Sequence, residues 1–200
     1  MFIELTDYLR CPEEHEEQYL VLLPSRMAER DVRDGELGCP VCNRTIFIAD
    51  GVLDIGGEPP DAAARGEAAS ILQPEAMAAF LGLGGPGGYL ALVGAPAGQW
   101  KALLEVVPGV QPVVINPPAG TPNESPVSVA RGGRLPFKSR TMRGVVLGPG
   151  YAGDPHWVAE AARVLLPGLR VVGEGPDPAG GALEVAASAD GVWVAVRAGR

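Results

Sequence analysis

The residue types and spacings most able to do chemistry in this 200-residue chain lie in its first 42 positions. All three cysteines are there: Cys11, in Cys11-Pro12-Glu13-Glu14-His15, and the pair in Cys39-Pro40-Val41-Cys42. Cys-Pro-x-Cys is a tight turn that aims two thiolates at one point, and Cys11-Pro12 repeats its beginning. Tetrahedral Zn²⁺ needs a fourth donor, and His15 is spaced to supply it from the first turn. A catalytic zinc keeps an open coordination position, whereas four soft ligands close the site. The implied chemistry is therefore a structural zinc held by Cys11, His15, Cys39 and Cys42. The alternatives are three unligated thiols acting as small hydrophobes, or a disulfide between two of them, which a reducing cytosol disfavours.

The elements that must position these ligands are short strands. Residues 19–23, 45–48 and 52–55 read as strands, with Asp34-Gly35 and Asp50-Gly51 as hairpin turns. With its two knuckles, this region resembles the small zinc-ribbon family whose best-known member activates tRNA and release-factor methyltransferases. It departs from that family at the first knuckle, where Cys-x-x-x-His replaces Cys-x-x-Cys and Glu14 occupies the usual spacing of the second ligand. A ribbon of this size does not fold on its core alone, so metal binding would supply folding free energy.

Further along, 144–148 (GVVLG) reads as a buried strand and Asp154 as a helix N-cap, with Pro155 as first helical residue. Trp157, Val158, Ala161, Val164 and Leu165 recur at helical spacing. Pro167-Gly168 reads as the helix stop and 169–172 as the next strand, giving a βαβ unit and a parallel sheet. Strands at 89–93, 112–115 and 127–130, a helix at 99–107, and a hairpin of 182–187 with 191–196 complete the pattern. Trp193 is expected to pack on a covering helix. Before them, 62–83 reads as helix interrupted near Pro74, and 82–88 as a Gly-Pro loop.

The stretch LPF…GVVLG…DP…AEAARVLLPGLRVVGEG resembles the second half of class I S-adenosylmethionine-dependent methyltransferases, over roughly residues 88–197. The resemblance implies a cofactor loop at 94–98, where Gly94 and Gly98 keep the outer glycines of Gly-x-Gly-x-Gly and Pro96 replaces the middle one. It implies a ribose-gripping acid after the second strand, where Asn116 stands. It also implies an adenine-reading acid after the third, where Arg131 stands without an acceptor to offer. Tyr151 and His156 follow the fourth strand but read as a loop aromatic and an exposed helix-start residue, so no catalytic residue is assigned. If a cofactor pocket survives, Gly94, Gly98 and Asn116 would line it.

Charge separates the two regions. Residues 1–60 carry 5 Lys+Arg and 13 Asp+Glu, and the remainder 11 of each, so the formal −8 sits at the N-terminus. Arg131, Arg134, Lys138, Arg140 and Arg143 share a span without an acid. It reads first as a solvated loop face; docking onto an acidic protein or an anionic membrane surface is the alternative. Overall acidity disfavours general nucleic-acid binding. The longest apolar runs are too short to cross a bilayer, and MFIELTDYLR lacks the basic start of a secretory signal, so a cytoplasmic protein is expected.

The implied architecture is α/β: a zinc ribbon in 1–57, a helical linker in 58–87, and a Rossmann-like methyltransferase-type sheet in 88–200 ending in an antiparallel hairpin. Three altered cofactor contacts together imply a fold acting through another protein as a structural or interaction subunit of a larger complex. The alternatives are an active S-adenosylmethionine-dependent methyltransferase, and a ribbon-type activator of a separate one.

Overall fold

The structure, a computed structural model, describes residues 1–58, 69–178 and 181–197. A 3-10 turn, Ile3–Tyr8, precedes an antiparallel meander of β1 (Val21–Ala28), β2 (Asp31–Gly38), β3 (Thr45–Ala49) and β4 (Val52–Asp54). Asp50-Gly51 forms the β3–β4 turn, with Asp50 at φ 48 and Gly51 at φ 80. Asp34-Gly35 does not turn: both residues lie inside β2, and the β1–β2 turn falls at Glu29-Arg30. The glycine is needed there for close approach. The β1–β2 register shifts beside Pro24, and a Cβ on Gly35 would lie 2.9 Å from the Leu23 carbonyl oxygen. Asp34 accepts from the Asp50 N–H and from Arg26, which satisfies locally what would otherwise be a turn-forming side chain.

Of the helix expected over 62–83, residues 62–68 lie outside the described residues. The described part is α1 (Pro74–Leu81), which starts at Pro74, where a missing N–H costs nothing, and ends on Gly82 in the left-handed region. Then come β5 (Tyr89–Val93), a 3-10 turn at Ala95–Gln99, α2 (Trp100–Val106), β6 (Gln111–Ile115), β7 (Ser128–Arg131) and β8 (Met142–Leu147). Helix α3 (Pro155–Val164) is capped by Asp154, whose carboxylate accepts from the His156 N–H at 2.9 Å. The chain ends with β9 (Leu165–Glu174), β10 (Leu183–Ala189) and β11 (Val192–Arg197). α3 stops three residues before Pro167, because Leu165 and Leu166 are drawn into extended backbone ahead of the proline. Pro167-Gly168 lies in an irregularity of β9, where the register against β8 jumps from Met142–Leu165 to Gly144–Arg170.

The eleven strands of the described residues form one sheet, in the order β1-β2-β3-β4-β7-β6-β5-β8-β9-β11-β10. The strands from β7 to β9 in that order are parallel, and their order reverses between β5 and β8, as in doubly wound sheets. The β10–β11 hairpin adds antiparallel to β9. At the other side β4 pairs parallel with β7, so the meander continues the parallel sheet.

Alternation of side chains across the sheet gives two cores. One face packs Leu90, Leu92, Val114 and Val146 under α1 and α2. The other packs Ala91, Val93, Ile115 and Val145 with α3, with Trp193, and with Met1, Leu5, Leu9, Cys11, Leu37 and Ile46 from the N-terminal region. On that face α3 supplies Trp157 and Ala161, and the N-terminal arm covers what α3 does not. The arm is tied to the loop before β8 by a Leu9–Phe137 bridge and by the Arg10 N–H donating to the Pro136 carbonyl.

An ionic network closes the same seam. Buried Glu160 of α3 accepts from both Arg163 Nε and Nη2 at 2.8 Å and from the Leu135 N–H, and lies 3.8 Å from Arg134. Arg163 also donates to the Phe137 and Leu135 carbonyls and reaches Glu17, which in turn holds Arg10 and the Ser139 N–H and hydroxyl. Burial pushes the Glu160 carboxyl up, but the Arg163 hydrogen bonds and the charges of Arg163, Arg134 and His156 outweigh it and hold it below its usual range. Glu17 is lowered too: burial is outweighed by the Ser139 bonds, Arg10 and Arg163. A depressed carboxyl stabilises the fold above its unfolded value of 4.5 and loses that contribution as pH falls through the lower folded value. We expect Glu160→Ala to cost about 3 kcal/mol at neutral pH, since it removes a buried carboxylate that accepts two Arg163 hydrogen bonds and the Leu135 N–H. Urea titrations between pH 7 and pH 3 should also show Glu160→Gln with a flatter acid dependence than wild type.

Candidate metal centre and the carboxyl edge of the parallel sheet

The two knuckles and the arm converge as their spacing implies. One ligand atom from each of Cys11, His15, Cys39 and Cys42 lies within 4.8 Å of every other. Cys11 Sγ is 3.6 Å from Cys42 Sγ, and Cys39 Sγ is 3.4 Å from His15 Nε2. Tetrahedral zinc with bonds of about 2.3 Å sets sulfurs about 3.8 Å apart, so the cluster fits a zinc site. His15 Nδ1 sits 2.7 Å from the Glu16 carbonyl, which can only accept a hydrogen bond from it, and Nε2 is the ring nitrogen that faces the sulfurs. The second knuckle is closed by Asn43, in the left-handed region at φ 60, whose N–H donates to the Cys39 carbonyl. Cys11 is set by the Leu9–Phe137 bridge two residues before it. Glu14 is exposed and stands outside the cluster.

The thiols do not behave alike. Burial pushes Cys11 up to about 12, with the neighbouring thiols adding to the shift. Burial also opposes ionisation of Cys39, but the Cys42 and Val41 N–H groups and the Cys42 and Cys11 thiols outweigh it and bring it down to about 7. Backbone donors thus prepare the Cys39 thiolate, whereas the buried Cys11 thiol would need the charge of a divalent cation to ionise near neutral pH.

In doubly wound sheets ligands enter at the carboxyl ends of the strands, where strand order reverses. Here that point lies between the ends of β5 and β8. Gly94, the first residue after β5, has φ 71 and ψ −133, and a Cβ on it would meet Tyr151 Cε2 at 2.6 Å. The buried Tyr151 ring, carried by the loop after β8, therefore lies directly on the start of the 94–98 loop and stacks edge-on against Trp157 at 4.8 Å. Pro96 is buried, and its Cδ would be 2.6 Å from a Cβ on Gly148, so the loops after β5 and β8 pack on each other. Gly98 is exposed in the 3-10 turn, with Pro118 as its neighbour.

Asn116, at φ 47, uses its side chain as a staple. Nδ2 donates to the Gly132 carbonyl at 2.9 Å and Oδ1 accepts from the Gly132 N–H at 3.0 Å, joining the ends of β6 and β7. Ile55, just past β4, packs against Gly132. Arg131 is exposed at the end of β7, and His156 Nε2 lies 3.1 Å from the Gly133 carbonyl.

The basic span is largely engaged within the chain. Arg134 donates to the Pro12 carbonyl, and Lys138 donates to the Asp7 carbonyl at 3.1 Å and sits over the Tyr19 ring. Arg143 holds the Gly85, Pro86 and Gly87 carbonyls. Arg131 and Arg140 are exposed. Three of the five basic residues thus act within the fold, two on the chain's own acidic arm, where the sequence left a solvated face or an outside partner open. Among the described residues no helix is long and apolar enough to cross a membrane. The sequence did not disclose Glu17, Glu160 and Arg163 as a unit, because Glu17 and Arg163 are 146 positions apart. Nor did it disclose Tyr151 as the group filling the strand-order reversal.

No protein-family model and no curated protein matches the chain. Similar solved structures include the complex between the Haloferax volcanii Trm112 methyltransferase activator and a methyltransferase, at 20% identity and TM-score 0.39, covering 44% of this chain and 45% of that one. Geranyl diphosphate C-methyltransferase from Streptomyces coelicolor matches at 19% identity and TM-score 0.43, covering 59% and 54%. The antibiotic-resistance methyltransferase Kmr matches at 12% and 0.44, covering 68% of this chain and 98% of that one. This chain thus spans less than half of the first of these.

The metal centre makes a direct prediction. Protein purified without added metal should carry about one equivalent of zinc by mass spectrometry, and under half an equivalent in folded protein would exclude the site. Glu14→Gln should keep that zinc, whereas His15→Ala should release it to a chelator at least about tenfold faster.

Proposed function

We propose that this chain is a non-catalytic, methyltransferase-like protein that works as a structural or interaction subunit of a larger protein complex, with a structural zinc on Cys11, His15, Cys39 and Cys42. Residues 1–57 form its zinc-ribbon module, 58–87 the connection, and 88–200 the methyltransferase-like domain. The observation that carries the reading is the Tyr151 ring lying on Gly94 where the strand order reverses, the place a cofactor would enter. Two further features support it. Asn116 already has both ends of its amide bonded to Gly132, so ribose hydroxyls would compete with a staple that holds β6 to β7. Arg131 offers donors where an adenine amine needs an acceptor.

The zinc belongs to this reading as a folding element. It joins the arm, through Cys11 and His15, to the knuckle between β2 and β3, and the arm carries the contacts to the loop before β8. An N-terminal module ordered in this way presents a fixed surface, which an interaction subunit requires.

Calorimetric titration with S-adenosylmethionine and S-adenosylhomocysteine tests the proposal. We expect no binding heat at millimolar ligand with zinc-loaded protein whose fold is verified by circular dichroism. A dissociation constant in the micromolar range, about −8 kcal/mol of binding, would overturn it and make Gly94, Gly98 and Asn116 a variant pocket.

A further inference from the structure

The meander has one face in the core and one that is without cover among the described residues. Along its edge, burial alternates: Tyr19 is 69% exposed, Val21 54% and Leu23 62%, while Leu20 is buried and Leu22 packs against the core. In register across the strands, Leu23 lies opposite Glu36 and Glu36 opposite Phe47, which is 57% exposed. The next row of the same face is Val21, Gly38 and Thr45. Because Gly38 has no side chain, and a Cβ there would touch only the Val21 carbonyl at 3.9 Å, a shallow trough runs between Val21 and Thr45. Glu36 stands at its end between two large apolar side chains, exposed and with no ion-pair partner among the described residues.

Contiguous exposed aliphatic and aromatic side chains of this kind mark interaction surfaces, and charge selects the occupant. A second copy would press together two modules that each hold the chain's whole formal −8. Nucleic acid and anionic lipid are repelled for the same reason. The edge of β1 is itself blunted against strand addition by Pro24, by register shifts on both sides of Arg26, and by the Arg26 charge. We propose that the outer face of β1–β3 docks an extended, basic segment of a partner protein. Its apolar side chains rest on Val21, Leu23 and the Gly38 trough, and an arginine stacks on Phe47 while pairing with Glu36. The proposal rests on the reading of the chain as an interaction subunit, whose partner it specifies by chemistry.

The probe is a labelled peptide alternating arginine with leucine, compared with the same peptide carrying glutamate for arginine. Anisotropy at low salt should show the arginine peptide binding, weakening as salt rises, and the glutamate peptide not binding. Glu36→Lys and Phe47→Ser should each weaken binding about tenfold, with Glu105→Lys, an exposed carboxylate on α2, as the control that leaves it unchanged. Both meander substitutions are at exposed positions, and zinc content and circular dichroism verify their folding. Equal affinity for wild type and Glu36→Lys, or no binding to wild type, would overturn the proposal. So would self-association in sedimentation that Phe47→Ser abolishes, since a second copy would then cover the face. Titrating the same proteins with S-adenosylmethionine separates the two readings. Peptide binding together with cofactor binding removes the non-catalytic reading and keeps the surface; neither binding removes the surface and keeps the reading.

Discussion

The fold depends on a seam only three residue pairs long, where Val52, Leu53 and Asp54 of β4 lie in parallel register with Val129, Ala130 and Arg131 of β7. Three ladder pairs are too few to hold a four-stranded meander to a parallel sheet, and a meander of this size has too little core to stand alone. What makes the seam hold is that both sides contribute to one buried cluster. Leu37, Ile46, Leu53 and Ile55 from the meander pack with Ile115, Ala130, Leu135 and Phe137 from the sheet. Sheet continuity and core continuity are the same constraint seen from two directions: neither half buries its apolar face without the other.

The Cys/His cluster bears on that constraint through the arm. Leu9 bridges Phe137, Arg10 bonds the Pro136 carbonyl, and Cys11 follows at once as a member of the cluster. The arm therefore runs from the loop before β8 straight into the cluster with no slack residue. Met1 closes the other end, its ammonium donating to the Val32 carbonyl at 3.0 Å while the Phe2 N–H donates to Ser128 of β7. Around this path Arg10, Glu17, Arg163, Glu160 and Arg134 alternate in sign, so each partly buried charge has an opposite neighbour. Such a chain of partly buried pairs fixes geometry more than it adds stability, because desolvation offsets much of each attraction.

Local signals in the sequence carried the fold a long way. Short apolar runs located β5 to β8, Asp154-Pro155 located the start of α3, and knuckle spacing pointed to the convergence of Cys11, His15, Cys39 and Cys42. The misreadings share a cause. Asp34-Gly35 has the chemistry of a turn, but the turn lies five residues earlier and the glycine serves a close contact between β1 and β2. Pro167-Gly168 has the chemistry of a helix stop, but proline acts upstream, so the helix ends at Val164. In both, the residue types were right and the pairing that decides their use was non-local. The pairing of β4 with β7 and the use of basic residues on the chain's own arm are likewise long-range matters, with no periodicity to announce them.

A filled strand-order reversal and an uncovered meander face follow from one arrangement. In an open doubly wound sheet, the loops after the first and fourth parallel strands stand apart and leave a crevice between them. Here the second loop brings Tyr151 and Gly148 down onto Gly94 and Pro96, and Tyr151 is held there by Trp157, a side chain of the same core that receives the N-terminal arm. Drawing Tyr151 outward to open the crevice would unpack Trp157, and with it the layer on which the arm and the seam depend. The meander, fixed by its inner face, has its outer face left over. The interior of this molecule is thus used up in joining its two regions, and the surface that remains distinctive is the flat apolar one around Glu36, which the joining of the two regions does not use.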